Sequence, residues 1–556
     1  MLPQYLTPKL FTTLRAYDRT QLYHDLVAGL IVGVVAIPLA LAFGIASGVT
    51  PAEGLYAAVV GGFIISLLGG SRVQIGGPTG AFVVIIYGIV HQYGREALTV
   101  CTIMAGVILI VMGLFRMGNL IKWIPYPVTT GFTSGIAVII FSSQIKDLLG
   151  LRMGAVPPEF VSKWDAYLHA LPTADWHTFG LSAATLAVLV YLPHLTKRIP
   201  SPFAALVFAT GAAAVFGLPV ETIGSRFGEL PRGLPMPHLP SVDFKTATEL
   251  VRPATVVALL AAIESLLSAV VADGMIGSRH RSSVELVAQG AANVISPLFG
   301  GIPVTGAIAR TATNIKSGGR TPVAGIVHAA VLVCVLLFAG PLVARIPLCA
   351  LAAVLVIVAY HMSEWRTFAF LLKSPRSDVA VLLATFGLTV LVDLTVAVEV
   401  GMILSAFLFM RRMAEMTTVG AAVRELGDDE SAKEGPEKGR AVLPKGVEVY
   451  DVSGPLFFGA ADKLGETLSQ ISDPPKVFIL RLGAVPVMDA TGLHALRDFQ
   501  ARCRRLKTSL LLCGLRKQPL RVLQSTGALA EFDAWTEDDD LAAALKTLEK
   551  SALLTK

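Results

Sequence analysis

Long apolar runs alternate with short polar loops over about the first 410 residues, and this pattern predicts membrane-spanning helices. The runs that are long enough to span or half-span a bilayer form two series of seven. The first series lies near residues 22–46, 53–69, 78–92, 97–115, 125–145, 179–195 and 201–218. The second lies near residues 253–273, 284–299, 305–315, 321–343, 346–361, 378–393 and 395–411. An odd number of segments per repeat places the two halves in opposite orientations. The expected fold class is therefore an α-helical membrane protein with a seven-plus-seven inverted repeat.

The third segment of each series opens on nearly the same phrase. Residues 76–81 read Gly-Gly-Pro-Thr-Gly-Ala, and residues 300–307 read Gly-Gly-Ile-Pro-Val-Thr-Gly-Ala. Each phrase begins an apolar stretch that is too short to cross a bilayer. Interrupted segments of this kind, in corresponding positions of two halves, are typical of secondary transporters, because half-helix N-termini direct N–H groups and positive dipole ends at an anion. The pattern therefore predicts a carrier with an anionic cargo.

After residue 412 the apolar runs give way to the alternating pattern of a small α/β domain. The predicted strands are 447–452, 477–482 and 509–513, and the predicted helices are 460–471, 490–506, 517–526 and 539–550. The charged stretch 425–439 has almost no large apolar residues, which is typical of a flexible linker. The expected domains are an N-terminal segment 1–21, a transmembrane domain 22–412, a linker 413–440 and an α/β domain 441–556.

The composition supports a membrane location, since 54% of the residues are hydrophobic, 15% are charged and the mean hydropathy is +0.66. The net charge of +6 comes from Lys and Arg in short loops, without a basic stripe and interleaved aromatic residues, so no nucleic-acid partner is expected. Placing these loops inside puts the N-terminus and the C-terminal domain in the cytoplasm. The longer loops 146–178 and 219–252 are then expected outside.

The cysteines give no sign of a metal site or a disulfide framework. None of the five belongs to a Cys-x-x-Cys pair or has a His-linked spacing. Their expected role is that of small buried apolar side chains, and no cofactor or metal is expected.

Glu264 lies in the middle of an apolar helix, close to the expected bilayer centre. A carboxylate there costs about 2.5 to 3.5 kcal/mol on insertion scales, so it is expected to face a polar cavity, bind a proton or pair with a cation. The expected role is proton coupling, since a dry pocket favours the neutral form of a carboxyl group. The alternative is a structural carboxylate that hydrogen-bonds a neighbouring helix.

Arg310 follows the second phrase by one helical turn. Its planar, permanently charged guanidinium suits carboxylate and oxyanion groups, so its expected role is to attract the anion beside the two half-helix N-termini. The alternatives are that it neutralises Glu264 or snorkels toward the membrane surface. Thr79 can donate a hydroxyl group, and glycine allows a ligand close to the backbone. The expected substrate-binding residues are Thr79, Gly80, Ala81, Ala307, Ile308, Ala309 and Arg310.

The chain resembles the sulfate permease (SulP) family of anion transporters over nearly its whole length. The resemblance is carried by Ile37-Pro-Leu-Ala-Leu-Ala-Phe43, Gly54-Leu-Tyr56, Gly69-Gly-Ser-Arg72, Gly77-Pro-Thr79 and Ala262-Ile-Glu-Ser-Leu266. It implies the seven-plus-seven fold with a core domain that moves against a gate domain, a cytoplasmic STAS domain at the C-terminus, and a homodimer. It also places Phe43, Thr79 and Arg310 at the family's anion-pocket positions. By spacing alone, Phe43 is a packing or lipid-facing residue.

Within this family, the chain looks most like the bacterial aerobic C4-dicarboxylate transporters of the inner membrane. The similar stretches are 262–275, 307–310 and 454–458. The sodium-coupled bicarbonate branch has Asp at the position of Glu264 and Thr at that of Ile308. The resemblance therefore implies coupling to protons and not to sodium.

The segment Val487-Met-Asp-Ala-Thr-Gly-Leu493 resembles the phosphorylation loop of anti-sigma-factor antagonists. Ala490 replaces the first hydroxyl residue of that loop and leaves Thr491. Thr491 is therefore a candidate phosphorylation site, with helix capping or another structural role as the alternative. The partner of the STAS domain is not indicated.

The sequence as a whole predicts a carrier, not an enzyme, that takes up C4-dicarboxylates such as succinate and fumarate together with protons. Inorganic-anion transport (sulfate, bicarbonate or chloride) is the first alternative, because it keeps every site residue and changes only the ligand. A nucleobase permease shares the fold but does not explain Arg310 or the STAS domain. A membrane-tethered signalling protein would act through residues 441–556 and would not depend on the pocket.

Overall fold

The computed structural model describes residues 7–118, 125–154, 156–157, 159–196, 199–392, 394–423, 446–457, 475–538 and 543–546. The chain divides into two compact units, Met1–Ser405 and Ala406–Lys556. Eight helices in the described part are long and apolar enough to cross a membrane. They are Arg19–Ala46, Pro51–Leu68, Gly80–Leu114, Tyr126–Leu149, Trp176–Leu195, Val251–Ile276, Leu348–Leu371 and Leu394–Met416.

Shorter helices complete the first unit. The apolar ones are Ser201–Phe216 and Val323–Phe338. The others are Lys9–Thr13, Phe160–Ala170, Ile223–Phe227, Phe244–Glu249, Ser282–Ile295, Ile308–Lys316, Gly340–Val343 and Arg376–Leu391. The apolar stretch Leu348–Leu371 is divided into the helices Leu348–Met362 and Trp365–Leu371.

Each of the predicted membrane segments overlaps one of these helices, and the predicted fold class is confirmed. The predicted segments 78–92 and 97–115 form one helix, Gly80–Leu114, which is interrupted at Gly94 with φ 86°. That backbone conformation suits glycine because it has no Cβ, and it kinks the helix at this residue. The segment expected at 305–315 begins as a helix only at Ile308, because the residues before it form a strand.

Two very short strands lie inside the membrane unit. Strand β1 is Gly76–Gly77 and strand β2 is Thr305–Gly306. They pair antiparallel, with Gly76 opposite Gly306 and Gly77 opposite Thr305. Each strand leads into a helix, Gly80–Leu114 after β1 and Ile308–Lys316 after β2.

Glycines allow the helices of the membrane unit to approach closely. Gly29 and Gly33 lie one turn apart on the helix Arg19–Ala46 and face Val327 and Val331 of the helix Val323–Phe338. A Cβ at Gly33 would lie 2.7 Å from a methyl carbon of Val331. Small residues four positions apart are typical of helix contacts in membranes, where close backbone approach and van der Waals packing drive association.

The second unit contains one five-stranded sheet. Its strands are β3 (Thr418–Val423), β4 (Val447–Ser453), β5 (Val477–Ala484), β6 (Ser509–Cys513) and β7 (Ala534–Trp535), paired in that order. Strand β3 is antiparallel to β4 and the remaining pairs are parallel. The helices Ala490–Arg505 and Lys517–Ser525 connect the parallel strands. The predicted helix 460–471 and most of 539–550 lie outside the described residues.

The first part of the predicted linker 413–440 differs from the expectation. The helix Leu394–Met416 continues into it, and Thr418–Val423 is a strand of the sheet. This stretch carries no charged residue, unlike the rest of the predicted linker, so it can pair with β4 at the sheet edge. The charged part, residues 424–440, lies outside the described residues.

Candidate functional site

The pairing of β1 with β2 brings the two repeated phrases into direct contact. Backbone hydrogen bonds extend the contact, since the Ala307 N–H donates to the Ile75 carbonyl at 2.9 Å. The hydroxyl of Thr311 accepts from the Ile75 N–H at 3.0 Å. The N-termini of the helices Gly80–Leu114 and Ile308–Lys316 therefore start from one shared structure, and the N–H groups at such ends lack intrahelical partners.

Both phrases are also attached to one helix, Val251–Ile276. The hydroxyl of Thr79 donates to the Oε2 atom of Glu264 at 2.8 Å, and the hydroxyl of Thr305 donates to the backbone carbonyl of Ala261 at 2.9 Å. The two acceptors are three residues apart and so lie on the same face of this helix. The threonines of the repeat therefore differ in function, because only Thr79 contacts an ionisable group.

Glu264 lies in the middle of its helix, as the sequence indicates, and its side chain is half-buried. In the part of the chain that the structure describes, no cation lies within ion-pair distance of it. Its Thr79 contact satisfies one oxygen atom and leaves acceptor capacity on the carboxylate. The guanidinium of Arg310 is outside ion-pair distance but close enough to act on Glu264 electrostatically.

Arg310 is almost completely buried, with 2% of its surface exposed. One guanidinium nitrogen, Nη2, donates to the carbonyl of Pro78 in the first phrase, while Nη1 has no hydrogen-bond partner among the described residues. The guanidinium also lies against Gly77, where a Cβ would come within 2.5 Å of Nη1. A buried donor without a partner is costly, and an anion at the start of the Gly80–Leu114 helix could satisfy it.

Phe43 belongs to an apolar group of side chains around Gly80. Its Cε1 atom lies 3.4 Å from the position that a Cβ at Gly80 would take. Ile140 and Met362 contact the same position at 3.3 and 2.7 Å. Sequence reasoning missed Ile140 and Met362, because an apolar residue in an apolar helix carries no signal that separates a pocket wall from ordinary packing.

The remaining predicted residues are placed unequally around the two helix starts. Ala81 is fully buried at the start of the first helix, and Ala307 is nearly buried with its N–H already engaged. Ile308 is 43% exposed, and Ala309 is exposed beside it. The described geometry therefore brings Phe43, Thr79 and Gly80 together at one helix start, with Arg310 behind them.

Buried polar side chains hydrogen-bond the backbone next to the two repeated phrases. Both oxygens of Glu285 accept hydrogen bonds: Oε2 from the N–H groups of Gly70 and Ser71 at 2.8 and 3.1 Å, and Oε1 from Gln289 at 2.8 Å. Asn293 forms two hydrogen bonds with the backbone of Val304, at 2.8 and 2.9 Å, directly before β2. Sequence reasoning missed this network, because polar residues in an apolar helix were its only sign.

Thr491 is exposed in the second unit, at the second residue of the helix Ala490–Arg505. The helix is capped by Asp489, whose side chain accepts from the Gly492 N–H at 2.7 Å. The alternative capping role of Thr491 is therefore wrong, because a carboxylate acceptor already occupies the cap. Within the described ranges, no group of three or more His, Cys, Asp and Glu side chains could hold a metal ion.

Comparison with known proteins identifies the family of the chain. A model of the sulfate permease family matches residues 22–385, and a STAS domain model matches residues 440–543. The chain is 43% identical to "Putative sulfate transporter YvdB" of Bacillus subtilis (strain 168), over 92% of this chain and 95% of that protein. It is 33% identical to the bicarbonate transporter BicA of Picosynechococcus sp., over 90% of each chain.

The fold is similar to that of the murine Solute Carrier 26 family member A9 anion transporter in its inward-facing state. The TM-score is 0.86 at 18% sequence identity, over 97% of this chain and 94% of that one. At this identity the likeness concerns the fold alone. Together with the family match over most of the chain, it places this protein in the sulfate permease family, as a multi-pass membrane anion transporter with a C-terminal STAS domain.

Proposed function

We propose that this protein is a proton-coupled secondary transporter of small inorganic oxyanions, with sulfate and bicarbonate as the candidate substrates. The observation that carries the proposal is the β1–β2 pair, which sets two helix N-termini beside the buried guanidinium of Arg310. Two positive dipole ends and one permanent cation form a site for a small anion near the middle of the membrane unit.

The anion binds at the start of the helix Gly80–Leu114. There the unpartnered Nη1 of Arg310 and the backbone N–H groups of the first turn supply donors, and Phe43 supplies an apolar wall. Charge-assisted hydrogen bonds to an oxyanion are shorter and stronger than those between neutral groups. The crowding of Gly80 by Phe43, Ile140 and Met362 favours a compact anion.

Glu264 couples the anion to a proton. Its carboxylate is joined to Thr79, one residue before the first turn that holds the anion, so an ionised Glu264 repels the anion and a protonated one does not. Because binding linkage is reciprocal, the anion also favours proton uptake by Glu264. The two therefore bind and leave together.

The names of the relatives favour an inorganic substrate over the C4-dicarboxylate expected from the sequence. The two relatives described above are named for sulfate and bicarbonate transport, and neither is named for dicarboxylates. The proposal further includes a homodimer in a bacterial inner membrane, with the N-terminus and the STAS domain in the cytoplasm.

Uptake by purified full-length protein in proteoliposomes tests the substrate. Labelled sulfate and labelled bicarbonate are supplied under an inward proton gradient, with unlabelled sulfate, bicarbonate, chloride or succinate as competitors. We expect uptake of at least one oxyanion, with little competition from succinate. Arg310→Met is expected to lower this uptake by at least about tenfold, because it removes a buried charge partner of the anion.

The exposed Arg345 provides the matched control, since Arg345→Met makes the same substitution at a position outside the site. Equal loss in both variants would argue against an anion site at Arg310. Preferential uptake of labelled succinate would replace the inorganic substrate with a dicarboxylate. Failure to transport any of these anions would contradict the proposed function.

A further inference from the structure

A cavity of about 560 Å³ opens at the end of the helix Arg19–Ala46 that is remote from the start of the chain. Its lining includes Ala46, Tyr87, Gln144, Lys163 and Thr389. Ala46, Gln144 and Thr389 lie near the C-terminal ends of their helices, and Lys163 lies in the loop 146–178. By the charge distribution of the loops, this loop lies at the outer face.

Lys163 is the unusual member of this lining. It lies on the helix Phe160–Ala170, in the loop between two membrane helices, and only 5% of its surface is exposed. No hydrogen-bond acceptor or carboxylate among the described residues lies within bonding distance of its ammonium group. Lysine is rarely this buried unless it is paired, so a lysine with an unpartnered ammonium group in a cavity lining is unusual.

The other cations that line the cavity have partners. Arg226 forms ion pairs with Asp147, at 2.8 Å, and with Glu221. Lys146 donates to the backbone carbonyls of Met153 and Gly154 at 3.1 and 3.0 Å.

The remaining charged groups of the lining do not contact Lys163 either. Arg95 lies 3.9 Å from Glu53, and Glu159 accepts from the Ser162 hydroxyl at 3.0 Å. Glu159 precedes Lys163 by one helical turn but is not within ion-pair distance of it. Lys163 is thus the cation in this cavity whose charge is available to a ligand.

The floor of the cavity lies next to the proposed anion site. Val83 belongs to the first turn of the Gly80–Leu114 helix, and Ile140 packs against Gly80 itself; both line the cavity and both are buried. The cavity therefore leads from the outer face to the apolar side chains that cover the helix start. An anion held in it would stand directly above the central site.

We propose that Lys163 forms an outer binding subsite for a small inorganic oxyanion. The anion occupies this subsite before it moves past Val83 and Ile140 to Arg310. The subsite rests on the proposed anion transport and adds a residue to it. The unpartnered ammonium group supplies the charge, and the apolar walls of a partly enclosed cavity weaken the screening of that charge compared with an open surface. The central site contains no residue of the 146–178 loop, so the two can be tested separately.

The reactivity of Lys163 reports its occupancy without any transport. Burial lowers the pKa of the Lys163 amine, so more of it is neutral and reactive at mildly alkaline pH than for an ordinary lysine. A bound anion stabilises the charged form and slows acylation. Full-length protein is acetylated with a small anhydride in sulfate, or in gluconate at matched ionic strength, and the rate at Lys163 is followed by mass spectrometry.

We expect sulfate to slow acetylation of Lys163 several-fold and to leave that of the exposed Lys245 unchanged. Transport kinetics give the second readout, in which Lys163→Met raises the KM for labelled oxyanion about fivefold with little change in maximal rate. Lys163→Arg keeps the charge, and its KM is expected to stay close to that of the wild type. Lys245→Met removes an exposed lysine and is the matched control.

Equal acetylation rates in the two salts, or an unchanged KM in Lys163→Met, would overturn the subsite. Wild-type protein that transports none of the oxyanions would instead contradict the proposed function. In that case the acetylation rates alone decide whether sulfate binds at Lys163.

Discussion

The hydrogen bond from Thr79 to Glu264 joins the two halves of the chain at an ionisable group. Thr79 precedes the helix of the first repeat that holds the anion, and Glu264 lies on the first helix of the second repeat. A change in the charge of Glu264 therefore alters the electrostatic potential at the start of the Gly80–Leu114 helix, where we propose that the anion binds. In the proposed mechanism, Thr79 transmits this change.

Replacing Thr79 tests this contact. Thr79→Val keeps the shape of the side chain but removes the hydroxyl donor, at a cost of about 1.5 to 3 kcal/mol for a hydrogen bond to a charged group. We expect gradient-driven oxyanion uptake to fall by about tenfold or more, whereas Thr79→Ser retains the donor and most of the uptake. Initial rates in proteoliposomes measure both. Equal rates in the Val and Ser variants would show that the hydroxyl is not used.

Some site residues could be predicted from the sequence, but their contacts could not. Glu264 and Arg310 could be found from the sequence, because a charge in an apolar helix is costly and needs a reason. That Arg310 binds the Pro78 carbonyl could not, since the contact joins residues that are far apart in sequence and depends on the strand pairing. The burial of Lys163 without a partner could not be predicted either, because a lysine in a polar loop is ordinarily solvated.

The two short strands are the elements on which the site depends. At Gly77, φ is 147° and a side chain would meet the guanidinium of Arg310. At Gly306, a side chain would overlap the amide of Gln74, which itself donates to Ser265. Both glycines are therefore required by space, and the Gly77 conformation adds a backbone reason.

Adding one methyl group at Gly77 should disturb the site through Arg310. Gly77→Ala is expected to displace the guanidinium, to cost about 1 to 3 kcal/mol in stability by overpacking, and to raise the KM for the oxyanion. Gly88→Ala is the matched control, because it lies on the helix that β1 leads into and has no atom within 4 Å of the added methyl group. Concentration-dependent uptake and thermal unfolding compare the two. A Gly77→Ala protein with normal KM would place Arg310 outside the anion site.

At the level of elements, the apolar pattern predicted the membrane helices within a few residues. The strands β1 and β2 were not predicted, because a two-residue strand of glycine and threonine has no periodicity. Strand β3 was also not predicted. Its small residues directly precede a charged stretch, and both were assigned to the linker. The break at Gly94 was expected as a loop, and it is a single residue in a left-handed conformation.

At the scale of the whole molecule, the repeat is symmetric in backbone and asymmetric in charge. Each half contributes a strand and a helix start, but only the second half contributes the arginine and the carboxylate. A symmetric site would bind an anion, whereas this one also contains a carboxyl group, for which we propose proton exchange. In the proposed mechanism, the coupling of anion to proton depends on the carboxyl group of Glu264.

Gradient-driven accumulation is the most direct measurement of this claim. Full-length protein in proteoliposomes is given the labelled oxyanion that it transports, with and without an inward proton gradient, and wild type is compared with Glu264→Gln. The exposed Glu249 supplies the control variant Glu249→Gln. We predict that gradient-driven accumulation falls about tenfold in Glu264→Gln, whereas exchange of internal for external anion is retained. The control variant is expected to behave as the wild type. Undiminished accumulation in Glu264→Gln would contradict the account.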